Sequence, residues 1–294
     1  MAVDLIDGLL DSVPVHDHGF VRLVDCMPRY VEEGQTGDDA IVRAARVSYG
    51  NGTKKVSDNR ALIRYLMRHR HTSPFEMVEF TFHIKAPIFV ARQWMRHRTG
   101  SFNEVSARYS VLPEEFYLPI EGDLQKQATN NKQGRSGAFE DKEATSILFA
   151  MKSVMVQSFA QYQHLLGKEL ARELARTILP VATYTEFYWK VDLLNLLKFL
   201  HLRSDNHAQL EIREYAAQIE AYLAEVVPFS LEAFHDYWVE APNLSAGMWT
   251  AILRTISTSD RKAAVNVFKS SKPSKREIAD FEEMLGVKDG DEEV

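Results

Sequence analysis

The segment Phe75-Glu76-Met77-Val78-Glu79-Phe80-Thr81-Phe82-His83-Ile84 alternates apolar and polar side chains, and Pro87 follows three residues later. Side chains of a strand point to opposite faces in turn, so this pattern predicts a strand with one buried face. Proline lacks the amide that the first turn of a helix leaves unbonded, so Pro87 predicts the start of a helix from Ile88 to about Arg98. The chain must therefore build a one-sided sheet and cover it with helices. A second strand is expected over residues 20–27 and a third from Thr183 to Val191.

Helices are expected from Asp38-Asp39 to about Val47, after Ser57 as a cap, from Ala144 to Leu166, from Glu169 to Ile178, and from an Asp192 cap to about Leu202. Another covers roughly 208–226, and the last forty or so residues are helical in character, ending in the acidic Asp289–Val294, expected to fray. Residues 121–145 are polar and glycine-containing, which predicts an exposed loop or insertion. No regular strand–helix–strand cadence runs through the chain. The expectation is an α+β fold, a mostly antiparallel sheet flanked by helices. One catalytic domain over residues 1–250 and a helical extension over 251–294 complete it.

Composition removes several functions. The 35 Lys and Arg are outnumbered by 41 Asp and Glu, so broad binding to nucleic acid or an anionic membrane is disfavoured. The N-terminus carries acids instead of a basic region before a long apolar core, so no signal peptide is expected. No apolar run reaches membrane-spanning length. The single cysteine, Cys26, lies in an apolar run, where a buried bystander is expected; a disulfide framework is impossible, and a cytoplasmic address follows. His69 with His71, and His207 with Glu211, do not make a zinc set, so no metal is expected. Glycines form neither a dinucleotide fingerprint nor a P-loop.

What remains is local. The run Arg96-His97-Arg98-Thr99-Gly100-Ser101-Phe102-Asn103-Glu104-Val105-Ser106-Ala107-Arg108 has no helical or strand period. Its arginine forks and serine hydroxyl suit a phosphate, which makes it a site for a phosphorylated ligand. Gln93, Arg96 and His97 would share a helical face at i, i+3 and i+4, with Arg92 one turn before Arg96. Taken alone, Arg92 is read as a cation complementing the helix dipole. A second cluster, Arg203-Ser204-Asp205-Asn206-His207-Ala208-Gln209, falls between two helices. It is either a capped turn, with Asp205 or Asn206 as cap, or a rigid cationic donor aimed at a developing anion. The aromatic run Tyr184, Phe187, Tyr188 and Trp189 reads as sheet core in preference to a stacking platform.

The pattern R-H-R-x(7)-S, met at Arg96-His97-Arg98 and Ser106, resembles the signature of the flavin-dependent thymidylate synthases. AARVS at 44–48, HTSPFE at 71–76, APIFVARQWMRHR at 86–98 and FLHLRSDNHAQLEIREYA at 199–216 are similar too, so the resemblance covers roughly residues 18–240. It implies reductive methylation of dUMP to dTMP, with carbon from methylenetetrahydrofolate and reductant from NADPH through FAD. A homotetramer with sites shared between subunits is also implied. Carried over by position, Gln93, Arg96, Glu104, Ser106, Ala107, Arg108 and Arg176 would hold the nucleotide, with its phosphate on the Ser106–Arg108 turn. Arg203 would face the uracil ring as the catalytic group. Ser73, Arg96, His97, Arg98, Glu104 and His207 would line the flavin, with His71 and Arg92 toward the folate.

Many relatives carry asparagine and arginine where this chain has Asp192 and Leu194, and Lys198 is also atypical. At these three positions, which meet the adenine end of FAD, only backbone contacts are carried over. Two alternatives stay open on sequence: a nucleotide-binding regulator of the same fold without the chemistry, and a local RNA-binding module. Intact Arg203 counts against the first and the net negative charge against the second.

Overall fold

The computed structural model describes residues 2–48, 58–129 and 134–287. Its strands are β1 (Ala2–Asp4), β2 (Val13–Val15), β3 (Gly19–Met27), β4 (Tyr30–Glu32), β5 (Glu79–Pro87), β6 (Ser101–Glu104), β7 (Gln125–Gln127), β8 (Arg135–Ala138) and β9 (Tyr184–Asp192). Five of them form one sheet in the order β2–β3–β5–β9–β6, with every pairing antiparallel. β1 pairs with β4, and β7 with β8, in separate ribbons. The helices are α1 (Asp38–Val47), α2 (Asn59–Arg68), α3 (Ile88–Trp94), α4 (Asp141–Gly167), α5 (Arg172–Ala175), α6 (Leu193–Arg203), α7 (Leu210–Val226), α8 (Pro228–Phe234), α9 (Ala246–Thr255), α10 (Thr258–Ser270) and α11 (Lys275–Leu285). This is the α+β architecture that the strand and helix patterns predict. No helix among the described residues is long and apolar enough to cross a membrane.

The alternation in β5 sets the layers. Phe80, Phe82, Ile84 and Ala86 are fully buried, while Glu79, Thr81, His83 and Lys85 point to the other face. Register with β9 places Phe80 opposite Val191, Phe82 opposite Trp189 and Ile84 opposite Phe187, so buried meets buried. On the outer face, His83 stacks on Tyr188 at 4.6 Å and Lys190 holds Glu79 at 2.8 Å. Phe187 and Trp189 are thus sheet core; on the opposite face Tyr188 is exposed, and Tyr184 is buried with its hydroxyl donating to Asp17 at 2.6 Å. Gly19 opens β3 where a Cβ would fall 2.0 Å from the Tyr215 hydroxyl, so only glycine fits.

Two strands run into helices with no loop between. Pro87 ends β5 and precedes Ile88 of α3, with extended backbone (ψ 145°), so it stands just before the helix and not inside its first turn. Asp192 ends β9 and caps α6, accepting from the Asn195 amide at 3.0 Å, as expected of it.

Several boundaries differ from the sequence expectation. Residues 75–77 belong to a 3₁₀ turn, Ser73–Met77, because Pro74 presets a helical φ there, and the strand starts at Glu79. α3 stops at Trp94, not Arg98, since the His97 amide closes a tight turn on the Trp94 carbonyl at 3.0 Å. Arg96 and His97 therefore do not continue the helical face of Gln93. The expected helix 169–178 splits into α5 and a 3₁₀ turn, Arg176–Ile178, ahead of Pro180. α2 is capped by Asp58, whose side chain accepts from Ala61; the expected cap Ser57 lies outside the described residues, as does the acidic tail. Asp38 opens α1 but turns its carboxylate to α8, accepting from the Phe229 and Ser230 amides at 2.8 and 3.1 Å. Burial pushes its carboxyl up to about 6 against those bonds.

The polar stretch 121–145 is no plain loop. β7 and β8 form a hairpin, and α4 begins before it ends. The hairpin is anchored by Arg135, which grips both carboxylate oxygens of Glu211 on α7. Glu211 is buried and also accepts from the Tyr117 hydroxyl at 2.9 Å. Burial alone would raise its carboxyl, but Arg135 and Tyr117 hold it below its usual value. Removing the cation would strand a buried carboxylate. Arg135→Ala is expected to cost about 3 kcal/mol, the lower end for a broken buried pair because Arg135 is partly in solvent. Urea denaturation checks this, and Arg135→Met with Glu211→Leu should recover most of the loss.

Candidate active site

The site grows from the aromatic core. Trp94, at the end of α3, is fully buried and meets Trp189 at 5.4 Å, Phe187 at 5.5 Å and Phe199 of α6 at 4.7 Å. Three residues on, the His97 ring packs edge-on to Phe199 at 5.0 Å. Phe199 lies one turn before Arg203 on α6, so one cluster fixes both residues. Arg203 Nε donates to His97 Nε2 at 3.0 Å, and its Nη2 donates to the Gln93 carbonyl at 3.0 Å. Of the five N–H groups of a guanidinium, these two set its orientation and leave the others for an acceptor. Gln93 Nε2 in turn donates to Gln209 Oε1 at 2.6 Å, tying α3 to the turn after α6.

The electrostatics follow. Burial and then the charge of Arg203 lower the His97 imidazole to about 4, so at neutral pH it is an uncharged acceptor for that arginine. Burial also lowers Arg203 from its usual value, yet a guanidinium stays cationic at physiological pH.

A second group lies on β6 and the turn that follows. Glu104 accepts from the Thr185 hydroxyl at 2.6 Å. Ser106 Oγ accepts from the Arg108 amide at 3.3 Å, and the Ser106 carbonyl accepts from the Tyr109 and Ser110 amides, a serine-capped turn with Ala107 buried inside it. Arg108 lies 3.4 Å from Glu173, and Arg172 donates to the Tyr109 carbonyl. Arg176 sits on the neighbouring 3₁₀ turn. Gly100 lets the loop cross Trp189, where a Cβ would come within 2.7 Å of the indole nitrogen.

Among the described residues no hydrogen bond or ion pair joins the first group, Gln93, His97, Arg203 and Gln209, to the second, Glu104, Ser106, Arg108 and Arg176. Arg92, Arg96, Arg98 and Arg176 are exposed and, among the described residues, make no hydrogen bond or ion pair with their side chains. Such a set of free cations, with exposed Ser73, fits the phosphates of a nucleotide and the pyrophosphate of FAD.

His71 is exposed and packs edge-on to Tyr65; His207 is exposed and bonds Asp205. Asp205 caps that turn, its carboxylate accepting from the His207 amide at 2.7 Å, as one of the two readings of the second cluster expects. Asp192 spends its carboxylate on the α6 cap, Leu194 is buried in the core, and Lys198 lies 3.5 Å from Asn195. The Leu194 side chain is thus part of the hydrophobic core. Thr185 is not singled out by the sequence, and Gln209 is read there only as part of the second cluster, because their contacts span 81 and 116 residues.

Residues 29–229 match the family model described as thymidylate synthase complementing protein. The chain is 50% identical over 276 residues to the flavin-dependent thymidylate synthase of Dictyostelium discoideum, covering 92% of this chain and 86% of that one. With the enzyme of that name from Thermus thermophilus it shares 55% over 235 residues, 80% of this chain and 82% of the relative. This chain belongs to the flavin-dependent thymidylate synthase family. Among solved structures, the UMP/dUMP methylase PolB from Streptomyces cacaoi, bound with 5-Br dUMP, is similar at a TM-score of 0.67 and 35% identity, covering 77% of this chain and 98% of that one. The run Arg96-His97-Arg98 of this family member follows directly on the buried Trp94.

The contact between His97 and Arg203 has a direct readout. By NMR titration, His97 is expected to protonate near 4 in the native protein. In Arg203→Gln the midpoint should rise part of the way to 6.5, since burial remains. The unfolded chain binds a proton between about 4 and 6.5 where the native one does not, so this histidine lowers stability as pH falls through that window.

Proposed function

We propose that this chain catalyses the reductive methylation of dUMP to dTMP, with methylenetetrahydrofolate as carbon donor and NADPH as reductant. Bound FAD supplies the means of passing the reducing equivalents of NADPH to the one-carbon unit. The observation that carries the reading is Arg203: a cation fixed by two hydrogen bonds, its remaining N–H groups without a partner among the described residues, on the segment that resembles the family's uracil-facing one. A guanidinium does not accept a proton at neutral pH, so its work is electrostatic, stabilising negative charge on the uracil ring so that C5 attacks carbon. Neutral His97 holds it in place without competing for that charge.

The Ser106–Arg108 turn and Arg176 receive the nucleotide phosphate, with Gln93, Arg96 and Glu104 on the same ligand. Ser73, His97, Arg98 and His207 face the flavin, and His71 and Arg92 the folate. Asp192, Leu194 and Lys198 contribute backbone alone at the adenine end.

The protein works as a homotetramer whose sites are completed across subunits. Two observations support this. The nucleotide residues fall into two groups not joined within one chain, and α4, of 27 residues, buries Ala144, Phe159 and Tyr162 while Phe149, Val154 and Val156 stay exposed. A second copy is the occupant that would both cover that face and bring the two groups together. Cys26 takes no part: it is buried in β3, its thiol donates to the Pro28 carbonyl, and burial pushes it up to about 12. A lone unpaired thiol suits the reducing cytoplasm.

Incubating the FAD-loaded protein with dUMP, methylenetetrahydrofolate and NADPH is expected to give dTMP; none formed despite bound flavin would overturn the reading. Arg203→Ala should lose about two to three powers of ten in methylation while NADPH still bleaches the flavin. Arg203→Lys, which keeps charge but not the planar fork, should fare nearly as badly. Cys26→Ala should keep its turnover in the same assay.

A further inference from the structure

Beyond residue 229, where the family match ends, α11 packs its charged face on α2. We propose that α11 is a latch that positions the turn His69–Ser73, and through it His71 and Ser73 of the site. This rests on the reading of those two residues as facing flavin and folate.

α2 ends at Arg68, and the chain reverses through Arg70, a non-glycine residue at φ 57°. That left-handed conformation persists only where the surroundings hold it. The His71 amide closes the reversal on the Leu66 carbonyl at 2.9 Å. Two elements grip the turn from outside: Trp238, whose ring centre lies 5.9 Å from the Arg70 guanidinium, and α11. Asp280 takes His69 Nε2 at 3.1 Å and pairs with Arg68. One turn earlier on the same face, the Arg276 guanidinium lies 3.7 Å from the centre of the Tyr65 ring. Tyr65 meets His69 at 4.4 Å and His71 at 5.6 Å, so Arg276 is two contacts from His71. Between them Glu277, buried, anchors the helix: it accepts from Arg64 Nε at 2.8 Å, from the Tyr237 hydroxyl, and from the Ser274 amide of its own capping box.

The pairing is directional. α2 presents Arg60, Arg64 and Arg68, and the opposing acids are Glu232, Asp236, Glu277 and Asp280. Apolar cover alone would bury α2 without fixing where its last turn points. Separate charge pairs at successive turns fix the register, and Asp280 sets it at the end nearest the site.

The test uses full-length protein and three variants: Arg276→Ala with Asp280→Asn, Arg276→Lys, and His71→Ala as the reference. FAD affinity, the KM for methylenetetrahydrofolate, dUMP affinity and the thermal midpoint are measured in each. The double variant is expected to weaken FAD or folate roughly tenfold, within the range by which residues touching neither ligand alter binding, with dUMP affinity within twofold. Arg276→Lys, on an exposed side chain that leaves the fold intact, should show a smaller loss on the same ligands. Wild-type binding in both latch variants beside an impaired His71→Ala overturns the latch. Equal losses on all ligands with a lowered thermal midpoint overturn it too, as those of a simple prop. If His71→Ala itself binds FAD and folate normally, the reading of His71 fails, and the latch with it.

Discussion

The burial of Trp94 holds this molecule's chemistry in place. Its indole touches two strand residues of β9 and Phe199 of α6, so sheet and helices share one aromatic centre. Large aromatic side chains bury much area and pack at defined angles, which makes such a centre stiff. His97 leans on the same Phe199, and Arg203 follows one turn later. The Arg203 guanidinium is thereby referenced to the core, with no long loop between. A preorganised charge needs this: it must already point where negative charge will develop, or reorganisation offsets its benefit.

Polar groups buried elsewhere act as ties between segments distant in sequence. Asp38 at the start of one helix satisfies the first amides of another, 191 residues on. Glu211 joins α7 to the hairpin through Arg135. Each bond removes a costly unsatisfied group and also specifies which surfaces meet. The exposed cations of the site are the reverse case. Among the described residues, Arg96, Arg98 and Arg176 pair with no carboxylate, so their charge is open to anionic ligands, which a chain of net charge −6 must recruit locally.

Much of this was legible in the sequence. Alternation exposes β5, aromatic and β-branched composition exposes β9, and the Asp192 cap and the helices α1, α6 and α7 are legible within a few residues. The motif residues were identifiable because no core period explains them. What escaped was non-local. The early stop of α3 follows from where Trp94 is seated, which no window of sequence records. The paired strands β7 and β8 read as loop because their composition is polar, and it is the buried partner of Arg135 that ties them to α7. Thr185, and the partner of Gln209, escape for the same cause, each contact being defined by a residue far along the chain.

The loopless joints at Pro87 and Asp192 bear on how such a protein can diverge. A single residue added inside α6 would turn everything after it by about 100° and swing Arg203 off His97. Added residues in the hairpin would lengthen a surface ribbon and leave the joints alone. Insertions accumulating in a lineage are therefore expected to collect between β7 and α4, while the lengths of β5–α3 and β9–α6 stay frozen, whatever happens to the residues on their solvent faces.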